Sequence, residues 1–349
     1  MNWNDFNNNS FDITTGKATY GFNRIDRNDI SLNYFIYSNP TTTSAYWGAV
    51  LAHNGLIYYI PYSETTIEEI DPYVANGIFF GSAGASTTKW LGGFLGVDGK
   101  IYCIPSTSSV IGIIDPVAKT IDTTSFTAPA DSVGQGCYGP NGLYYTSPNQ
   151  STTAPIYSID VLNKRTVLEY TISGSKVQSG AILNPNDGLI YYIPRDDDDM
   201  LIYDVYKRSL ITITMPSNGF ASFGYNGGVL APNNCIYMAP SSADYIMEFN
   251  CYTRKARTIG TTVNGGTLAF SQAIYAPDDY IYFIPYSYVN MWRLDYHTGE
   301  TIEIPILAGS QKWGPGCFDL NGKFWTSTYG NDSILVLDFQ QKMKNKIIC

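Results

Sequence analysis

Few residues in this sequence are suited to chemistry. There are two histidines, His53 and His297, and they fall in separate turns of the chain. A triad or a zinc site needs several convergent groups, which two isolated imidazoles do not supply. The sharpest charge feature is the run Asp196-Asp197-Asp198-Asp199. Several carboxylates could take Ca²⁺, but the run lacks the alternating acidic spacing and turn glycine of a calcium loop. A solvated loop is the better reading and a metal site the weaker one. A dispersed pattern, Asp71, Asp115, Asp160, Asp204, Asn250, Asp295 and Asp338, reads as turn starters whose side chains bond the backbone two residues on. None of the six cysteines forms a CxxC pair, and Cys137 and Cys317 sit inside apolar strands. They read as free thiols acting as small hydrophobes, made in a reducing compartment. No P-loop, HExxH, nucleophile elbow or dinucleotide fingerprint is present. The expectation is a non-enzymatic chain with no cofactor.

The elements that must position these residues repeat. Each copy is a small or apolar strand, a tight turn, a Tyr-rich strand and then Pro. Anchored on Ile57, Ile101, Leu143, Ile190, Ile236, Ile281 and Phe324, the copies are spaced by 44, 42, 47, 46, 45 and 43 residues. The next residue is aromatic in all seven copies, and the Asp or Asn named above follows fourteen after the anchor, or seventeen in the third copy. Asn54-Gly55, Asp98-Gly99, Asn141-Gly142, Asp187-Gly188 and Asn321-Gly322 are hairpin turns between strands A and B. Strand B, as in Leu56 to Ile60, is apolar on both faces, which a blade packed between two neighbours requires. Glycines near the start of strand A suit a crowded centre. Four short strands per unit at this period predict an all-β, seven-bladed β-propeller over residues 41–349. Lys346 to Cys349 are expected to be the outer strand of the last blade, so that the ring closes by side-chain packing of blade one on blade seven. Residues 1–40, with a strand-like run from Ile30 to Tyr37, form a short N-terminal extension, either a strap or an assembly anchor that could form a homo-oligomer.

In this topology the B–C and D–A loops share one face. The D–A loops are longer and variable, and several carry an aromatic just before strand A: Trp47, Trp90, Trp313 and Tyr225. The B–C loops add Tyr62, Arg195, Tyr286, Tyr288 and Tyr329. Variable loops on a rigid scaffold carry binding, and Tyr, Trp and Arg anchor interfaces and stack on sugars. The alternative for the Trp residues is that they plug gaps between blades. Charge narrows the partners. The net charge is −9, so nucleic acid and anionic membrane surfaces are disfavoured. No apolar run reaches the roughly 18 residues of a spanning helix. Met1 to Asp12 have neither the basic nor the apolar region of a signal peptide.

Leu51 to Pro61 and Leu230 to Pro240 resemble the "LAPNGKIYCIP"-like units of a group of seven-bladed repeat proteins found in phages, large DNA viruses, some bacteria and protists. The resemblance covers about residues 45 to 349. It implies a virion component, a tail or capsid appendage made in the host cytoplasm, that engages other virion proteins or a host-surface glycan or protein through the B–C/D–A face. A stand-alone carbohydrate- or protein-binding propeller is the alternative. The repeats also resemble virginiamycin B lyase, a family that uses His and Glu with Mg²⁺ near the axis. The two histidines here do not fit that pattern, which argues against lyase or hydrolase activity.

Overall fold

The computed structural model describes residues 9–12, 17–20, 30–38, 46–131, 133–149, 153–174, 176–219, 222–263, 268–306, 312–330 and 333–341. Seven four-stranded antiparallel sheets are arranged around one axis, six of them in-order meanders from inner strand A to outer strand D and the seventh completed by a strand from the start of the chain. Blade one runs Tyr46–Leu51, Ile57–Pro61, Ile67–Asp71 and Asn76–Phe80. This is the expected seven-bladed β-propeller with four strands per blade. A two-stranded hairpin, Asn9–Asp12 with Lys17–Tyr20, precedes the blades.

Burial follows position in the blade. Strand B is buried along its whole length in blade one, whereas strand D alternates between exposed and partly buried residues. The apolar side chains of strands A to C fill seven clusters among the described residues, one at each junction between neighbouring blades. The turn chemistry also repeats. In six blades the A–B turn residue bonds the strand B Tyr four positions on, and in blade seven Asp319, just ahead of the turn, does the same for Trp325. Asn54 Nδ2 donates to Tyr58 Oη at 2.8 Å, Tyr102 to Asp98 at 2.9 Å, Asn141 to Tyr145 at 3.0 Å and Tyr191 to Asp187 at 2.6 Å. Asn233 donates to Tyr237 at 2.8 Å, Tyr282 to Asp278 at 2.6 Å and Trp325 Nε1 to Asp319 at 3.0 Å. Each clamp lets a large ring fill a blade junction with its polar tip satisfied.

Two sequence expectations change. The third blade is in register on Tyr144, one residue after Leu143, because Tyr145 is the ring clamped by Asn141 and strand B is Tyr144–Pro148. That register places Pro148 where Pro61 ends strand B of blade one. The outer strand of blade seven is Ile30–Ser38, paired from Ile30 with Gln341 to Ser38 with Ser333. Lys346 to Cys349, expected there, lie outside the described residues. Main-chain hydrogen bonds therefore close the ring, together with packing of Tyr46, Ile57 and Tyr59 against Trp325, Ile334 and Val336. A chain beginning at Thr41 lacks this strand. Its melting temperature should fall by ~5 °C or more, given ~2–4 °C per kcal/mol for large domains. An unchanged melting temperature would show that the strand does not hold the ring.

The recurrent Asp at the end of strand C caps the C–D turn. Asp115 Oδ1 accepts from the backbone of Val117 and Ala118, and Asp204 Oδ1 from Tyr206 and Lys207. The Lys207 ammonium and these backbone donors hold the Asp204 carboxyl below its ordinary value. The folded chain thus binds that proton less readily than the unfolded chain does. The resulting stability is present above the ordinary carboxylate range and is lost as pH falls through it. Asp204→Asn should cost under ~1 kcal/mol at pH 7. The gap between the two proteins in urea midpoint should shrink at pH 3, and a gap that widens would contradict this origin.

Candidate functional site

The site begins with a defect in strand A. In every blade the A–B ladder shifts register after the first or second residue of strand A, as between Tyr46 and Ala49, Gln178 and Ala181, and Gly314 and Gly316. A β-bulge re-aims side chains where strands crowd together. Here the seven bulges face the axis. The crowding is real: a Cβ on Gly48, whose φ is +93°, would sit 2.9 Å from the Cα of Gly92.

Around the axis lies a cavity of about 270 Å³ with residues at or beside the bulges of all seven blades in its wall, among them Trp47, Leu91, Gln135, Ser179, Asn226, Gln272 and Pro315. A second chamber of about 170 Å³ shares Trp47, Leu91, Arg195 and Asn226 with it and adds Tyr62, Phe223, Tyr225, Tyr286 and Tyr329. The aromatic wall is a packed cluster. Trp47 meets Tyr329 edge-on at 5.0 Å and Tyr286 at 6.1 Å between ring centroids, and Tyr329 lies 5.6 Å from Tyr62. Burial, followed by the Tyr329 hydroxyl, pushes the Tyr62 and Tyr286 hydroxyls up, so they remain neutral. The polar wall contains Gln135, Ser147, Asn149, Gln178 and Arg195. Arg195 donates to Asn149 at 3.2 Å and to Asp196 at 3.3 Å, and its guanidinium lies 4.3 Å from the Phe223 ring. Gln178 is 1% exposed, and neither its Oε1 nor its Nε2 finds a partner among the described residues. An unpartnered buried amide of this kind costs ~1–3 kcal/mol.

The structure divides the expected binding residues. Trp47, Tyr62, Arg195, Tyr225, Tyr286 and Tyr329 line the second chamber. Trp90 and Trp313 do not join them. They are 1% and 0% exposed in blade junctions, and their indole Nε1 atoms donate to the carbonyls of Val110 and Ser333. The cause is register. Tyr46, Trp90 and Trp313 are the first residues of their strands, paired with Pro61, Pro105 and Thr328, whereas Trp47 is one residue later. A one-residue step moves a side chain to the other face. Tyr225 is also a first residue; it is fully buried and its hydroxyl accepts from Asn218. Tyr288 packs on Phe270 and Trp292 and donates to Glu303, outside both chambers. The sequence reading missed Gln135, Ser147, Gln178 and Asn226.

Three carboxylates of the acidic run are held by groups outside it. Lys176 pairs with Asp197 at 2.9 Å and with Asp199 at 2.5 Å, and Asp196 accepts from the backbone of Phe223 at 3.0 Å. Among the described residues no group of three His, Cys, Asp or Glu could hold a metal ion. His297, in a C–D turn, pairs with Asp279 of an A–B turn at 3.1 Å, and His53 lies in another A–B turn, so both are on the opposite face from the cavity mouth. Burial pushes the Cys137 and Cys251 thiols up to about 12, so neither is a thiolate nucleophile at neutral pH.

The chain is thus a seven-bladed β-propeller with an axial cavity under an aromatic rim. No family model matches it, and no curated protein matches it. Its fold is similar to that of virginiamycin B lyase from Staphylococcus aureus, at 14% identity over 88% of this chain and 99% of that one, with a TM-score of 0.72. A catalytically inactive histidine-to-alanine variant of that lyase, with quinupristin, matches at 13% identity over 88% and 99%, TM-score 0.73. A chain of a mitotic checkpoint complex matches at 14% identity over 92% and 95%, TM-score 0.65. At these identities the likeness is one of fold. The division of Trp residues is testable. Trp90→Ala should cost ~3–5 kcal/mol of stability in urea unfolding, while Trp47→Ala should cost under half as much. Equal losses would contradict the placement of Trp47 at the rim.

Proposed function

We propose that this chain is a non-enzymatic recognition protein. It engages a glycan or another protein through the face where the B–C and D–A loops emerge. The observation that carries this reading is the cluster of Trp47, Tyr62, Tyr286 and Tyr329 at the mouth of the axial cavity. Rings presented from a rigid scaffold are efficient anchors, since little side-chain entropy is lost on contact. The chemistry of the walls supports a binding role over catalysis. No histidine or carboxylate lines either chamber among the described residues, and general acid–base catalysis needs such a group near its substrate. The fold is shared with a lyase, but both histidines here are turned to the other face.

The wider setting of this reading is a virion, where the chain would be a tail or capsid appendage that contacts other virion proteins and a host-surface glycan or protein. The resemblance of its repeat units supports that setting. Residues 1–29, ahead of the closing strand, are the candidate anchor to the particle or to a second copy.

Two measurements test this. Mass spectrometry of particles purified from cells that make the protein should detect it, and its absence removes the virion setting. A glycan array probed with the full chain should retain it on at least one glycan, with signal about tenfold weaker for Trp47→Ala. A blank array, with Trp47→Ala also leaving binding to whole host cells unchanged, would remove the recognition face.

A further inference from the structure

We propose that the axial cavity is a site for the terminal ring of a neutral saccharide, read by Gln178 and Ser147 and stacked against Trp47. This rests on the glycan arm of the recognition reading and deepens it. The first residue of strand A belongs to the blade-junction core, and the fold fills it with Tyr46, Trp90, Val133, Tyr225, Phe270 and Trp313. Blade four alone places an amide there, Gln178, paired across from Pro194. Both polar atoms of that amide are buried without partners among the described residues, as is Ser147 Oγ, and both residues are in the wall of the cavity. Where local chemistry contradicts an otherwise repeated pattern, function is the usual reason.

The chemical class follows from what the walls offer. An amide and a hydroxyl each donate and accept, as sugar hydroxyls do. Trp47, the one aromatic residue in this cavity's wall among the described residues, offers a ring that suits the apolar face of a pyranose. Among the described residues no carboxylate lines the cavity, and Arg195 is already committed to Asn149 and Asp196, so the walls fit an uncharged ligand better than an anion. A volume of about 270 Å³ falls just below the ~300–1,000 Å³ of drug-sized pockets, the scale of one ring and not of a folded element.

The test is saturation-transfer NMR on the full chain with the methyl glycosides of glucose, galactose, mannose and N-acetylglucosamine, and with that of sialic acid as the anionic control. At least one neutral glycoside should receive saturation and the sialoside should receive less. Gln178→Leu restores the apolar pattern of the other blades. It should melt at or above the wild-type temperature and yet bind the glycoside about tenfold more weakly, or worse. Should Gln178→Leu melt lower, Gln178→Met and Ser147→Ala replace it, with the same loss of binding expected. The proposal is overturned if no neutral glycoside receives saturation, or if folded variants at Gln178 and Ser147 bind as wild type does, as they would if water alone satisfies the amide. A Trp47-dependent array signal would then leave the recognition face standing without its axial site, whereas a blank array would remove both.

Discussion

Each blade keeps its second strand buried on both faces, and the remaining structure is arranged around that burial. The rings of Tyr58, Tyr102, Tyr191, Tyr237 and Tyr282 are at most 1% exposed, although a phenol hydroxyl buried without a partner would offset much of the gain from burying its ring. The A–B turn resolves the conflict. An Asn or Asp that the tight turn needs for its own backbone reaches the hydroxyl four residues on. Turn chemistry and core packing therefore specify each other, and this repeats with little change around the ring. The backbone adds a second set of ties on the loop face. Lys89 N donates to Tyr62 O, Gly224 N to Arg195 O, Ala269 N to Ser241 O and Lys312 N to Tyr286 O, each from one blade to the one before it. These bonds hold the B–C loops that carry Tyr62, Arg195 and Tyr286.

Blades packed this tightly converge on the axis with too little space for regular strands. The bulge in each strand A relieves the crowding and has a second effect. It frees one or two residues per blade from ladder pairing and brings at least one of them to the cavity wall. Structure supplies the positions, and the side chains placed there differ from blade to blade: Trp47, Leu91, Gln135, Ser179, Asn226, Gln272 and Pro315. Some of these serve the ring itself. Gln272 Oε1 accepts from Gly316 N at 2.9 Å, and Ser179 Oγ accepts from Gly227 N at 3.1 Å. The side-chain polar atoms of Gln178 and Ser147 serve no such bond among the described residues. The asymmetry of the site, aromatic toward blades one, six and seven and polar toward blades three and four, is thus written on a nearly symmetric scaffold.

The sequence carried the repeat, the hairpin turns and the doubly buried strand because each is local and recurs seven times. The capping role of Asp115 and Asp204 was legible for the same reason. Register was the harder quantity. Counting eight residues back from the turn residues Asn54, Asp98, Asn233, Asp278 and Asn321 reaches Tyr46, Trp90, Tyr225, Phe270 and Trp313. That count separates Trp47 from Trp90 and Trp313 without a structure, whereas proximity to a glycine groups them wrongly. Leu143 served as an anchor because blade three has Tyr at two successive positions, and only the Asn141 clamp selects Tyr145. The closing strand was not legible. Ile30 to Tyr37 and Lys346 to Ile348 both read as strands, and which one pairs with Ser333–Gln341 depends on contacts about 300 residues apart in the chain.

That long-range pairing also bears on the site. The aromatic cluster takes Trp47 and Tyr62 from blade one, Tyr286 from blade six and Tyr329 from blade seven. Blade seven is the sheet assembled from both ends of the chain, so its position against blade one depends on Ile30–Ser38 holding the strand Ser333–Gln341. Tyr329 stands in the loop just ahead of that strand, and Trp47 stands one residue inside strand A of blade one. Separating the closing strand would release the blade that carries Tyr329 from the blade that carries Trp47, and the 5.0 Å contact between their rings could not survive it. Closure of the ring and formation of the aromatic rim are therefore one event. The aromatic rim exists only in the fully closed propeller, which is why no single blade, or run of a few, could carry it.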